Sequence, residues 1–399
     1  MKPIIRFRQY NKEWRPFKLN TILVPSNEKN TKGLYSKNDV LSVSGEAGIV
    51  NQIAFQGRSF AGASVLNYGV VNTNDIVYTK SPLRNNPYGI IKTNNGPSGI
   101  VSTLYAIYNC CEESCPQFVD TYFTSSSRTN NYLRPLVRKG AKNDMKVSSE
   151  GALQGNVIFP YKDEQIEIAS YFRILDAKLQ ASAKKVDSLK KLKSASLVAM
   201  FPQNGESKPK VRFNGFEGEW STNNLGSIFA ERIESNENGE MLSVTMNNGI
   251  IRSSDNGRFD NSNSDKSKYK VVKIGDIAYN SMRMWQGASG VSQYEGIVSP
   301  AYTVVTPSVD VDTDFFGYLF KTDDVIRLFK LNSQGLTSDN WNLKYPAFSR
   351  ICVSYPESKE EQQAIATFFR SLDRKIALET TRLEKLKQIK RACLDKMFV

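Results

Sequence analysis

Two stretches of the chain place apolar residues at steps of four and three. The first carries Leu175, Leu179, Val186, Leu189 and Met200, and the second Leu372, Ile376, Leu383, Leu386 and Met397. This is the heptad seam of a coiled coil. Its polar interruptions coincide in the two stretches, Ser182 with Glu379 and Lys193 with Lys390, at a constant shift of 197 positions (379 − 182). The match starts upstream, at Glu164-Gln165 and Glu361-Gln362, and runs to Met200-Phe201 and Met397-Phe398. Each stretch is predicted to be one long helix. Ser358 with Glu361 forms a capping box after Pro356, and Asp163 is the N-cap candidate after Pro160. Neither helix buries its seam alone, so each is expected to pair with the other. A helix of this length spans about 55 Å, whereas the domain between the two would be only about 38 Å across. A parallel pair would therefore stretch the intervening chain, and an antiparallel pair is expected, with a globular domain at each end of a rod and a twofold axis through its middle.

The repeat extends beyond the helices. Ile5-Arg6-Phe7, Trp14, Leu19 and Ile22 return as Val211-Arg212-Phe213, Trp220, Leu225 and Ile228. Leu41-Ser42-Val43-Ser44 answers to Leu242-Ser243-Val244-Thr245, Tyr68 to Tyr78 answers to Tyr269 to Tyr279, and Gly99 to Tyr105 answers to Gly296 to Tyr302. The whole chain reads as a tandem duplication. These pieces are short, β-branched and aromatic, with Gly, Asn or Asp at their edges, and are predicted to be strands. Tyr68 to Tyr78 reads as two strands around a turn at Asn72 to Asp75. Helical signals inside each half are fewer, the clearest being one helix from Asp314 to Leu331, and Pro202 to Lys210 reads as a linker. The expected fold class is α+β: two α/β domains, 1–158 and 203–355, separated by two long antiparallel coiled-coil helices, 159–202 and 356–399, in a pseudo-twofold tandem repeat.

The halves differ where they would read a partner. Between matching strands the first half has Lys80, Arg84, Asn85, Asn86, Tyr88, Lys92, Asn94 and Asn95, and the second Arg283, Trp285 and Gln286. Retained strands with a diverged polar loop fit two modules reading two targets on one frame. Arg donates bidentately to guanine and Asn or Gln exchanges paired bonds with adenine, while Lys holds phosphates. Arg84, Asn85, Arg283 and Gln286 are accordingly the candidates for base contact, and Lys80 and Lys92 for phosphate. Further candidates are Arg138-Lys139, with Gly140 to Asn143 behind them, and Ser338 to Asn342, with Asn340 as the contact and Trp341 read as core.

Composition sharpens this picture. The 399 residues suffice for two or three domains. A formal charge of +13 points to an acidic partner such as nucleic acid. Histidine is absent, which removes Ser-His-Asp and Cys-His catalysis, His-ligated metals and imidazole acid/base chemistry. The 5 cysteines lack paired C-x-x-C spacing, so reduced thiols and no structural zinc are expected. Met1 to Trp14 has no apolar run, so neither a signal peptide nor a membrane span is expected, and the cytoplasm is the default. Asn85-Asn86-Pro87-Tyr88 faintly resembles the base-gripping loop of amino-methyltransferases but lacks its second proline, and no glycine-rich cofactor turn accompanies it. Glu357-Ser358-Lys359 has the spacing of a metal nuclease triplet but sits at a helix cap. Lysines and arginines of the helices, among them Lys184, Lys190, Lys385 and Arg391, read as solvated faces of the coiled coil, or as a docking face for other subunits.

With the Glu361-Gln362 helix, Phe368-Phe369 and Leu372-Asp373, the copy at Glu164 to Asp176, the Gly-Ile-Val-Ser strands, and the Trp14 and Trp220 segments all duplicated in order, the chain resembles the DNA specificity subunit of type I restriction-modification systems over its full length. The resemblance implies that each half is a target recognition domain, that the helices are the spacer, and that Leu175, Leu179, Val186, Leu189, Leu372, Ile376, Leu383 and Leu386 serve spacer and subunit docking. It implies no catalytic activity and no cofactor of its own: S-adenosylmethionine, ATP and magnesium would sit on partners, two methyltransferase subunits and, in the full complex, two restriction subunits. Two other readings stay open, a coiled-coil scaffold with non-specific DNA affinity and an autonomous nuclease or methyltransferase.

Overall fold

The computed structural model describes residues 1–83, 85–139, 145–203, 206–246, 248–256, 265–337 and 340–399, with Lys139 as backbone only. The chain folds as two compact units, Met1–Ala183 with Thr381–Val399, and Lys184–Thr380.

Each unit is built on a four-stranded antiparallel sheet of the same order. In the first unit the strands are, across the sheet, Leu23–Pro25, Tyr105–Cys110, Ile76–Thr79 and Ile91–Thr93; in the second they are Phe229–Glu231, Tyr302–Pro307, Ile277–Asn280 and Ser289–Val291. The central strands carry consecutive apolar residues, Ile76-Val77-Tyr78 and Ala106-Ile107-Tyr108 in the first unit and Ile277-Ala278-Tyr279 and Val304-Val305 in the second, because both faces are covered, and their period of two sorts the side chains into two cores. Ile76 and Tyr78 face the core shared with Phe118, Val119 and Tyr122. Val77 and Ile107 face the hairpin side, with Leu41, Ile49, Val71 and Val101. In the second unit Ile277, Tyr279 and Val305 face Phe315 and Phe316, while Ala278 and Val304 face Leu242, Val244 and Ile250.

Gly69–Val71 and Ile76–Thr79 are two strands around a turn, as expected, and they pair with other strands and not with each other: the former joins Gly99–Val101, the latter Ile91–Thr93 and Tyr105–Cys110. The turn is stitched to the end of Ile91–Thr93, with Asn74 N–H donating to the Asn94 carbonyl and Asn94 N–H to the Asp75 carbonyl, both at 2.8 Å. One expectation needs correction: the helix expected from Asp314 to Leu331 is two, Thr313–Leu319 and Asp323–Asn332. They break where the Thr322 hydroxyl donates to the Leu319 carbonyl at 2.7 Å, a local bond that competes with the helical ladder. The first unit has the matching pair, Pro116–Tyr122 and Ser126–Leu133, opened by Pro116 at the first turn and by Ser125, which accepts the Arg128 amide.

The long helices are Lys162–Met200 and Lys359–Lys396. Leu175, Ser182, Val186, Leu372, Glu379, Cys393 and Met397 are buried along their seams, while Leu179, Leu189, Ile376, Leu383 and Leu386 are half-buried. Within the first unit Tyr171 meets Cys393 and Asp176 meets Lys390; within the second Lys185 meets Glu379 and Lys193 meets Asp373. Numbering rises along one helix as it falls along the other, so the segments in each unit are antiparallel. The seam lysines that interrupt the heptads are therefore ion-paired to the facing helix.

The Glu-Gln pair at the head of each helix is a structural clamp. Glu164 takes Arg6 through both oxygens at 2.7 Å, and Glu361 takes Arg212 at 2.6 and 2.7 Å. Gln165 donates to the Pro160 carbonyl and accepts the Cys115 amide, while Gln362 donates to the Pro356 carbonyl and accepts the Asp312 amide. Hence the capping box expected at Ser358 is half formed: its hydroxyl accepts the Glu361 amide at 3.2 Å, but the Glu361 carboxylate is engaged by Arg212. Asp163 lies inside the first turn of its helix, not at the cap.

The far ends of the helices enter the cores. Phe201 packs 5.5 Å from Phe315 and 5.9 Å from Phe369, and Phe398 packs 5.7 Å from Phe118 and 6.0 Å from Phe172. Correspondingly, the Val211 amide donates to the Ala199 carbonyl and the Ile5 amide to the Lys396 carbonyl, both at 2.9 Å. The described residues of 202–210 contain neither helix nor strand; Asn204 and Gly205 lie outside them. Among the described residues no helix is long and apolar enough to cross a membrane.

Candidate nucleic-acid interface

In the second unit the strand Ile277–Asn280 runs into a tight turn that returns at Ser289. Met284, fully buried, plugs this turn into the core. Anchoring it there leaves Arg283 exposed and Trp285 and Gln286 half-exposed on the outside. Gly287 closes the turn at φ +80, a conformation that favours glycine. Arg283 donates to the Gln286 side-chain oxygen at 3.3 Å, and the Trp285 indole donates to the Met282 carbonyl at 3.1 Å.

A second loop joins this turn from more than fifty residues downstream. Gln334 and Asn342 exchange backbone bonds at 2.8 and 3.0 Å, and the Leu343 amide donates to the Ser281 carbonyl at 2.8 Å, which pins the loop beside the turn. Asn340 is exposed on it. Trp341, expected in the core, is half-buried instead: its ring stands edge-on to Trp285 at 5.2 Å, with the Lys330 ammonium 5.5 Å from its centre. A cavity of about 440 Å³ opens alongside, lined by Ser281, Met282, Asn342, Lys344 and Tyr345. Arg283, Trp285, Gln286 and Asn340 thus lie on two loops held together. Ser338 and Asp339 are outside the described residues.

The first unit has the same two-loop plan with different residues. The loop after Ile76–Thr79 carries exposed Asn85, whose carbonyl accepts the Asn130 side chain at 3.1 Å. Gly89 ends it at φ +89, where a Cβ would stand 2.2 Å from the Thr79 carbonyl oxygen. The second loop is a hairpin in which Arg138 faces Lys146, both exposed. Buried Val137 and Met145 root it, and the Tyr78 hydroxyl approaches the Met145 sulfur at 3.9 Å. Lys80 is half-buried and donates to the Ser149 hydroxyl at 3.3 Å; burial lowers its ammonium from the usual lysine range. Arg84, the Lys139 side chain and Gly140 to Asn143 fall outside the described residues.

Lys92 is a correction. It is not a loop cation but the middle residue of the edge strand Ile91–Thr93, buried, 3.4 Å from the Asp120 carboxylate and donating to the Thr124 hydroxyl at 3.2 Å. An ammonium so enclosed is not open to a phosphate. Cations that sequence reading passed over are Lys146, Lys330 and Lys344, exposed beside the loops; the alternation of Lys146 with buried Met145 was the available signal. Leu175, Val186 and Leu372 are buried, so they serve the helix seams and are not open to docking. Among the described residues no three Cys, Asp or Glu side chains are grouped as metal ligands.

Comparison with known proteins bears on this arrangement. Residues 218–388 match the type I restriction modification DNA specificity domain. Over 136 residues the chain is 26% identical to the type I restriction enzyme HindI specificity subunit of Haemophilus influenzae, a match spanning 33% of this chain and 29% of that relative. The chain thus matches less than a third of that relative's length. The S subunit of the type I restriction-modification system from M. genitalium is 14% identical, and its fold superposes with a TM-score of 0.58 over 100% of this chain and 99% of that one. A specificity domain matched in the second half, its internal repeat in the first and a shared fold along the whole length make this chain similar to type I restriction-modification DNA specificity subunits.

Proposed function

We propose that this chain is the sequence-reading subunit of a type I restriction-modification complex, recognising a bipartite, asymmetric duplex site and directing methylation and cleavage by its partners. Each unit reads a few base pairs through its two loops in the major groove, and the helices set the gap between the half-sites. The observation that supports this most is the contrast between kept and changed parts: one sheet order and one clamp in both units, but Lys80, Asn85 and Arg138 on the loops of one and Arg283, Trp285, Gln286 and Asn340 on the loops of the other. The +13 charge suits the phosphate backbone. The chain itself is non-catalytic, acts in the cytoplasm and holds no cofactor. S-adenosylmethionine is bound by two methyltransferase subunits, and ATP and magnesium by two restriction subunits where the complex contains them.

Mapping methylated adenines in the host genome tests the reading, since a two-part asymmetric motif is required by it and a continuous palindrome would refute it. Arg283→Ala is expected to cost about 1–3 kcal/mol of discrimination at one position of one half-site. The other half-site should keep its preference, and equal loss in both would count against the assignment. Inserting four residues into one seam, which shifts the heptads, is expected to lengthen the tolerated gap or abolish assembly. An unchanged gap would show that the helices are not the ruler.

A further inference from the structure

Each unit holds one lysine ammonium between the edge strand of its four-stranded sheet and the helices packed on it, but the two lysines come from opposite sides. In the first unit Lys92 lies on the strand and reaches Asp120 and Thr124 on the helical side. The register that pairs Val77 with Lys92 pairs Ala278 with Gly290, so the strand position of the second unit has no side chain. The position that matches Thr124 at the shift of 197 (321 − 124) is Lys321. Lys321 reaches back toward the strand, donating to the Gly287 carbonyl and to the Ser289 carbonyl, the latter at 2.8 Å.

The direction of reach matters because of what each ammonium grips. Among the described residues the Lys92 ammonium grips Asp120 and Thr124, on the helical side; the first unit's reading loop is held by other donors, Asn130 on the Asn85 carbonyl at 3.1 Å and the Tyr78 hydroxyl on the Tyr88 carbonyl at 2.7 Å. Lys321 grips the closing end of the turn that carries Arg283, Trp285 and Gln286. There the Ala288 amide donates to the Arg283 carbonyl at 3.2 Å and the Gly287 amide to the Met284 carbonyl at 2.8 Å. Its two acceptors flank Ala288, so the ammonium fixes the path of the chain through the left-handed Gly287. Burial, and after it the nearby Lys193, push this ammonium down to about 8, a cost that its two carbonyl acceptors offset.

We propose that Lys321 is a positioning residue for base recognition by the second unit: it touches no DNA, but by holding the Gly287 and Ser289 carbonyls it sets where Arg283 and Gln286 are presented. This rests on the functional reading above and names a specificity determinant within it, on the side of the turn that DNA does not reach. Lys92, which among the described residues grips no reading loop, supplies the internal control.

The test selects bound sequences from a pool of randomised duplex DNA, using the full chain purified with the subunits that accompany it, below the unfolding midpoint of every variant. Lys321→Met is expected to lower selectivity at the second half-site about tenfold, the scale of one lost base contact, with the first half-site and the affinity for unrelated DNA unchanged. Lys321→Arg, which keeps charge and donors, should recover most of the preference. Lys92→Met should lower the unfolding midpoint of the first unit without altering either preference. A folded Lys321→Met protein that keeps its second half-site preference within about twofold overturns the proposal, as does a Lys92→Met protein whose first half-site preference falls as far as the second does in Lys321→Met. Should Lys321→Met not fold, Lys321→Gln, with one donor group left, is read by the same criterion. A wild-type chain with no two-part preference overturns the functional reading itself, an outcome distinct from loss of the Lys321 assignment alone.

Discussion

Replacing Met397 and Phe398 by alanine is expected to unfold the first unit while the second stays folded. Although these residues directly follow the second long helix, they are 3% and 6% exposed inside the core built by Trp14, Phe118, Tyr122 and Phe159. The Phe398 ring touches those of Trp14, Phe118, Tyr122 and Phe172, and the Arg128 guanidinium lies 4.5 Å over it. Large-to-alanine changes at such sites cost about 3–5 kcal/mol for Phe and about 2–5 for Met, and the pair together approaches the whole stability of an ordinary domain, roughly 5–15 kcal/mol. Trp14 is the sole tryptophan of the first unit, with Trp220, Trp285 and Trp341 in the second. Tryptophan fluorescence in variants that keep either set therefore separates the two transitions. Loss of both transitions together, or of neither, would contradict this placement of the helix end. Met200→Ala with Phe201→Ala should do the same to the second unit, because Phe201 occupies the equivalent place beside Trp220 and Phe315.

Arg212→Ala carries the second large effect. It leaves the Glu361 carboxylate, 1% exposed, without the guanidinium that satisfies both its oxygens, and frees the Gly218 carbonyl that accepts the same side chain at 2.6 Å. Stranding a buried charge in this way costs about 3–5 kcal/mol, whereas removing both partners for apolar groups of similar volume is near neutral or favourable. The second unit's urea midpoint should therefore fall sharply for Arg212→Ala and recover in Arg212→Met with Glu361→Met. A single variant that loses less than about 1 kcal/mol would mean that water reaches the carboxylate and the pair is not buried in solution. The same logic applies to Arg6 and Glu164 in the first unit, where Trp14 also donates to the carboxylate at 3.3 Å.

How much of this was legible in the sequence differs by element. The helix seams were, down to the matching interruptions at Lys193 and Lys390, because a helix in contact with one partner must repeat its apolar face at a period set by its own geometry. The strands were legible as segments, but their pairing was not: Gly69–Val71 and Ile76–Thr79 are neighbours in sequence that join different sheets. Lys92 shows the limit most sharply. Its sequence neighbours Ile91 and Thr93 mark a strand, yet nothing local says that Asp120 and Thr124 wait across the seam, so it reads as a surface cation until the helices are in place. Lys321 sits in a break between helices and gives no sign that it reaches the Gly287 carbonyl.

What the sequence determined by itself is therefore periodic or repeated: two long helices, the duplication, the loops that diverge between the halves, and the exclusion of histidine chemistry. These follow from local geometry and from comparison of the chain with itself. What only the tertiary structure decided is which side chains meet across long separations: the union of the turn at Arg283 with the loop at Asn340, the entry of Phe398 into the first core, the capture of Arg6 and Arg212 by the helix-head glutamates, and the opposite directions of Lys92 and Lys321. Such contacts join residues that no local rule connects, and their energies depend on burial, which a side chain acquires only from what folds over it.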